Sequence, residues 1–122
     1  MVNPPHIYSI AVHGNSLAVA LGSGHILVFA LNNDISIVRS KQPVLTLEGH
    51  LGRIVQVTWP SFSPQLLLSV GNEPNLAMWR HGEMVRRVQL QEKVNWLACA
   101  ATAPKVYLAT VSTDIAVLTF PE

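Results

Sequence analysis

Charge is scarce in this chain. Lysine, arginine, aspartate and glutamate make up 12% of its 122 residues, about half the roughly 25% of an ordinary soluble domain. A surface so poor in charge implies that other polypeptide covers much of it. The 8 basic and 7 acidic side chains nearly cancel, for a net charge of +1. Apart from Arg86-Arg87 the cations are scattered, so no concentrated basic footprint points to nucleic acid or an anionic membrane. Cysteine is almost missing too. Cys99 alone excludes an internal disulfide framework and fits a reducing, intracellular compartment, cytoplasmic or nuclear. No apolar run approaches the ~20 residues that span a bilayer, and "MVNPPHIYSI" lacks the basic-then-apolar layout of a signal peptide. The length suits one domain and is too short for two ordinary ones.

Helical periodicity is also absent. Short runs rich in Val, Ile, Leu and aromatics are broken every several residues by Gly, Pro, Asn or Ser, the punctuation of an all-β domain. Strands are expected at about 6–12, 16–21, 25–31, 43–48, 53–59, 66–71, 75–80, 84–90, 93–100, 105–110 and 114–120. Asn32–Gln42 is a longer connection with room for a strand of its own. Three windows align without a gap: "LAVALGSGHILVFA" (Leu17–Ala30), "LLSVGNEPNLAMWR" (Leu67–Arg80) and "VYLATVSTDIAVLT" (Val106–Thr119). Each reads as strand, tight polar turn, strand. Trp79 and Leu118 occupy the same place in their windows, 39 residues apart, and Phe29 precedes Trp79 by 50, the excess lying in Asn32–Gln42. A period near 40 with several strands per unit is the mark of propeller blades.

Side-chain alternation agrees. In "HILVFAL" both faces are apolar. In "MVRRVQLQ" they separate, Met84, Val88 and Leu90 with Arg86 on one side and Val85, Arg87, Gln89 and Gln91 on the other. Strands buried on both sides lose alternation and half-solvated strands keep it. Blades predict that contrast between inner and outermost strands, whereas a β-sandwich predicts alternation in most strands.

Gly49-His50 precedes "RIVQVTW", and Trp79 closes the third strand of the same unit, 29 residues after His50. These residues resemble the WD-repeat family, whose repeat carries Gly-His before its innermost strand and Trp-Asp at the end of its third. The aspartate is replaced by Ala30, Arg80 and Thr119 in the three windows. The resemblance implies a partial WD-repeat β-propeller of about three blades, at roughly 6–48, 53–90 and 93–120, the third lacking its outermost strand. It also implies a buried hydrogen-bond network of His50, Ser69 and Trp79 with Glu73 in the place of the family's turn aspartate. Such a network answers a physical need, because a buried imidazole or indole N–H costs free energy unless partnered.

Other chemistry finds little support. His6, His13, His25, His50 and His81 show no ligand spacing with one another or with Cys99, and no HExxH or CxxC occurs, so neither a metal nor another cofactor is expected. Cys99 alternates with Leu97 and Ala101 on an apolar face, as a small buried hydrophobe would. "GSGH" (Gly22–His25) opens a strand rather than a helix, which makes it a β-turn and not a phosphate cradle. Trp59, Trp79 and Trp96 are expected in cores. Asp34 and Asp114, far apart and each in a turn, make no hydrolase pair.

The resemblance therefore implies a non-catalytic protein-interaction scaffold, the C-terminal portion of a larger propeller, with Arg53, Glu73, Glu92 and Lys93 as exposed contact residues on the loop ring beside Gly-His. Expected partners are other proteins, not nucleic acid or membrane. Propellers close with about 4–8 blades, so open blade faces are to be covered by further blades or by self-association. Two alternatives stand beside this: a fragment with no independent function, or part of a catalytic propeller whose active residues lie in other blades.

Overall fold

The computed structural model describes residues 6–31, 43, 45–48, 54–63, 65–100, 103–112 and 114–120. They form eleven strands: β1 (Ile7–His13), β2 (Ser16–Leu21), β3 (His25–Ala30), β4 (Leu45–Glu48), β5 (Ile54–Thr58), β6 (Leu66–Gly71), β7 (Asn75–Arg80), β8 (Glu83–Gln89), β9 (Val94–Cys99), β10 (Lys105–Thr110) and β11 (Ile115–Thr119). Among the described residues there is no helix. The strand within Asn32–Gln42 that the sequence left room for lies outside the described residues.

Three separate antiparallel sheets result: β1-β2-β3-β4, β5-β6-β7-β8, and β9-β10-β11. Each follows chain order; short connections join most neighbouring strands, and the longer stretch 31–44 separates β3 from β4 in the chain. At His81-Gly82, φ is 52° and 84°, and Arg80 pairs directly with Glu83. Two central residues at positive φ match the twist of a β-hairpin, and glycine adopts that backbone without strain.

The sheets stack face to face, with the middle one covered on both sides. Its β6 is buried along its whole length and β7 to its penultimate residue. Period-two alternation divides its side chains. Leu67, Ala77 and Trp79 pack with Ile54 and Val57 against Ala18, Ala20, Ile26, Val28 and Leu47 of the first sheet. Leu66, Leu68, Val70, Leu76 and Met78 pack against Val94, Leu97, Val106 and Leu108 of the third. A fully buried Leu or Val contributes about 1.5–3 kcal/mol, so these two seams hold the sheets together. Among the described residues the outer face of the third sheet has no such partner, leaving Trp96, Tyr107, Ile115 and Val117 exposed; on the outer face of the first, Ile10 and Val12 are exposed while Val19 and Phe29 are buried.

Three expectations need correction. Trp96 is not a core residue: it is 60% exposed, because its side of β9 belongs to the uncovered face. Met84 does not share a side with Val88. The β7–β8 register shifts between Met78 and Trp79, so Met78 faces Arg86 and Trp79 faces Met84, with Val85 as the extra residue. That bulge turns Met84 towards the first sheet while Val88 packs towards the third. Cys99 is half-buried, and desolvation pushes its thiol pKa up, which keeps it a poor nucleophile.

Candidate functional site

The first strands of the three sheets lie side by side, β1 against β5 and β5 against β9. No backbone ladder joins them; side chains do. The Val57 amide donates to Ser9 Oγ at 3.2 Å. Gln56 spans the next seam with both ends of its amide: Nε2 donates to the Leu97 carbonyl at 2.9 Å and Oε1 accepts from the Leu97 amide at 2.8 Å. A glutamine there imitates one rung of a β-ladder, which explains how a polar residue is 8% exposed inside an apolar seam. Sequence reasoning passed over Gln56 and Ser9. Their signal is faint, a polar residue at an inward position of an apolar strand.

Trp79 and Ser69 are brought together on the face towards the first sheet, with Trp79 Nε1 donating to Ser69 Oγ at 2.8 Å. Ser69 is fully buried and Trp79 3% exposed, so the bond satisfies an indole N–H that water cannot reach. Glu73 sits half-buried in the turn joining the same two strands, β6 and β7. His50, the fourth member expected from the sequence, lies outside the described residues. So does Arg53.

The turns β2–β3, β6–β7 and β10–β11 and the connection from β8 to β9 emerge at one end of the stack. Glu92 and Lys93 occupy that last connection, and both are held to the β10–β11 turn. The Ser112 hydroxyl donates to the Glu92 carboxylate, and the Val111 amide donates to the Lys93 carbonyl at 3.1 Å. Hydrogen bonds from Ser112 and then Thr110 hold the Glu92 carboxyl below the usual carboxylate range. Lys93 is exposed; Glu92, like Glu73, is half-buried rather than exposed. An open recess of about 270 Å³ between Gln89–Glu92 and Asp114–Ala116 runs beside this rim.

A second cluster at the same end escaped sequence reasoning. Ser23 Oγ lies 2.9 Å from His25 Nδ1, and His25 Nε2 lies 3.2 Å from Glu48 Oε1. A Ser-His-carboxylate order invites a nucleophilic reading, which the surroundings oppose. His25 and Glu48 are register partners on adjacent strands, so their pairing is an ordinary cross-strand contact. The neighbouring amides of Gly22 and Gly24 donate to the carbonyls of His6 and Leu21, and neither is left to stabilise an oxyanion. Among the described residues no group of three or more His, Cys, Asp or Glu could hold a metal ion.

No protein-family model matches the sequence, and no curated protein matches it either. Solved structures do. The crystal structure of the WD40 domain from Toxoplasma gondii coronin superposes with a TM-score of 0.81 over 93% of this chain. The chain has the fold of a WD40 propeller segment. Identity in that comparison is 17%, so the likeness is one of fold. A chain in a crystal structure of the Mitotic Checkpoint Complex gives a TM-score of 0.79 at 16% identity over 94% of this chain. This chain spans 30% of the first structure's length and 36% of the second's. Among the described residues the third blade has three strands where the first two have four.

Proposed function

We propose that the chain is a non-catalytic protein-interaction module whose contacts are made by the loop ring at the Glu73–Lys93 end. One observation carries this reading: Glu92 and Lys93 are tied to the adjacent turn through Ser112 and Val111. A surface ordered before binding has less conformational entropy to lose when a partner docks. Arg53 joins Glu73, Glu92 and Lys93 in this proposal on sequence grounds alone. The chain is further read as the C-terminal portion of a larger propeller. The exposed apolar face of the third sheet and the share of the WD40 structures that the chain spans support that reading.

A finer reading rests on the residues Glu92–Glu122 together with Gly49–Trp59, which are similar to the C-terminal part of WD repeat-containing protein 53. That similarity implies an intracellular platform and, through its family, a substrate adaptor for a cullin-type ubiquitin ligase. The adaptor signature Trp-Asp-x-Arg is replaced here by Trp79-Arg80-His81-Gly82. Proximity labelling with the complete chain tests the module as a whole. Lys93→Glu and Arg53→Glu are expected to remove the same set of neighbouring proteins while leaving the fold intact by circular dichroism. An unchanged set in both folded variants would overturn the assignment of the contact surface.

A further inference from the structure

Among the described residues three serines stand exposed, Ser23, Ser61 and Ser112, and their hydroxyls meet different groups. Ser23 Oγ lies beside the His25 ring, and the Ser61 hydroxyl donates to the Ala100 carbonyl at 3.5 Å. The Ser112 hydroxyl is given to a carboxylate, that of Glu92. This bond crosses from the β10–β11 turn to the connection between β8 and β9, which also carries Lys93. Val111 makes a second link, its amide donating to the Lys93 carbonyl at 3.1 Å. Two adjacent residues of one turn thus latch the connection in place. Among the described residues neither Glu92 nor Lys93 forms an ion pair, so the Glu92 carboxylate depends on the donors of this turn.

The surroundings of that hydroxyl decide what can act on it. Val111, Ser112 and Asp114 are exposed, so the turn is open to a second protein. From Tyr107 to Val117 the chain has no lysine or arginine, and Asp114, two positions after Ser112, is the one charged residue. With Glu92 across the turn it surrounds the hydroxyl with negative charge. An enzyme with a basic substrate cleft complements that setting, and one that reads arginine or lysine beside its serine finds none in this stretch. A phosphate on Ser112 brings about −1.5 to −2 charge at neutral pH and three strong acceptor oxygens. Facing Glu92, it replaces a donor by a like charge.

We propose that Ser112 is a phosphorylation site, modified by a protein kinase with a basic substrate cleft, and that the phosphate unlatches the loop ring. The phosphoryl group comes from ATP. A bond forms between Ser112 Oγ and the γ-phosphorus, the bond from that phosphorus to the bridging oxygen breaks, ADP leaves, and the hydroxyl proton passes to the base of the kinase. Glu92 is then driven from the turn by repulsion. Any pairing of the phosphate with Lys93 takes the charge of a second contact residue. The inference rests on the reading of this ring as the contact surface and gives that surface an off state.

The test uses the whole chain, ATP and two purified kinases, one selecting acidic and one selecting basic substrates. Mass spectrometry with fragmentation between Ser112 and Thr113 is expected to place phosphate on Ser112 with the first kinase and not with the second. Ser112→Ala is expected to abolish that signal. Hydrogen exchange at the Val111 amide, which reports the second link of the latch, is expected to quicken several-fold on phosphorylation. Ser112→Glu is expected to move it in the same direction and serves where the enzymatic reaction is incomplete. Glu92→Gln removes the repelled charge, so phosphate is expected to change Val111 exchange much less in that variant. A merely structural role for Ser112 predicts equal changes in both backgrounds. Proximity labelling with Ser112→Glu is expected to lose the neighbours that Lys93→Glu removes. If exchange quickens and the neighbours stay, the switch stands and the contact-surface reading falls. No phosphate on Ser112 of the folded chain, or phosphate there with Val111 exchange unaltered, would overturn the inference.

Discussion

Replacing Gln56 with leucine keeps an apolar side chain of similar length in the seam between the second and third blades but removes the amide clamp on Leu97. Two hydrogen bonds, at 2.8 and 2.9 Å, are lost, each contributing about 0.5–1.5 kcal/mol net. The Leu97 N–H and C=O then have no partner across the seam, and each orphaned buried group adds about 1–3 kcal/mol if water cannot reach it. The orphaned-group cost already contains the lost bonds, so the expected destabilisation is about 2–6 kcal/mol, a large share of an ordinary domain's stability. Urea unfolding followed by tryptophan fluorescence should show the midpoint falling by ~1–3 M for a slope of about 2 kcal/mol/M. Gln56→Glu sharpens the test. Its carboxylate can still accept from the Leu97 amide but faces the Leu97 carbonyl with no proton to donate, so its pKa is raised on folding. The stability it provides is therefore present below the ordinary carboxylate range and lost as pH rises through the raised pKa. A leucine variant with an unmoved midpoint, or a glutamate variant equally unstable at every pH, would refute the view that this side chain joins the blades.

Three further outcomes are expected. Ser69→Ala removes the acceptor for a buried indole N–H at nearly constant volume and should cost about 1–3 kcal/mol in thermal or urea unfolding; an unchanged melting curve would show that the bond is dispensable. The tether from Glu92 to Ser112 lowers the carboxyl pKa, so it is present at neutral pH and lost as pH falls through that lowered value. Ser112→Ala should raise the Glu92 pKa towards its ordinary value, readable from the side-chain carboxyl shift in an NMR titration. Replacing Trp96 and Ile115 together by serine strips apolar area from the uncovered face of the third blade. If that face drives self-association of the chain, sedimentation velocity should show a shift towards monomer, and an unaltered distribution would place the contact elsewhere.

How much could be read in advance differs between elements. The strand positions were legible because apolar runs and turn residues are local properties. The expected 16–21, 66–71, 75–80 and 105–110 coincide with β2, β6, β7 and β10, and the ends of the others shift by at most two residues. The propeller-like stacking was legible from the repeat and from the lost alternation in "HILVFAL". The bulge at Val85 was not, because it depends on the register that β7 imposes on β8. The exposure of Trp96 escaped notice for a related reason, since an aromatic in a strand carries no mark of whether another sheet lies beyond it. Part of the candidate site was legible: the resemblance that brought Ser69 and Trp79 together in thought also placed Glu92 and Lys93 on a loop. The bonds from Ser112 and Val111 that hold that loop join segments distant in the chain, and no local pattern announces them.

The order of residues determined which segments extend, where they turn, and that most have apolar side chains to hide on both faces. Those are matters of backbone preference and period-two patterning, settled within a few neighbours. Tertiary structure alone decided which faces found cover and which polar groups bridge the inner strands. Burial and hydrogen bonding are properties of what a side chain meets, and Gln56 meets Leu97 only because two blades stand against each other.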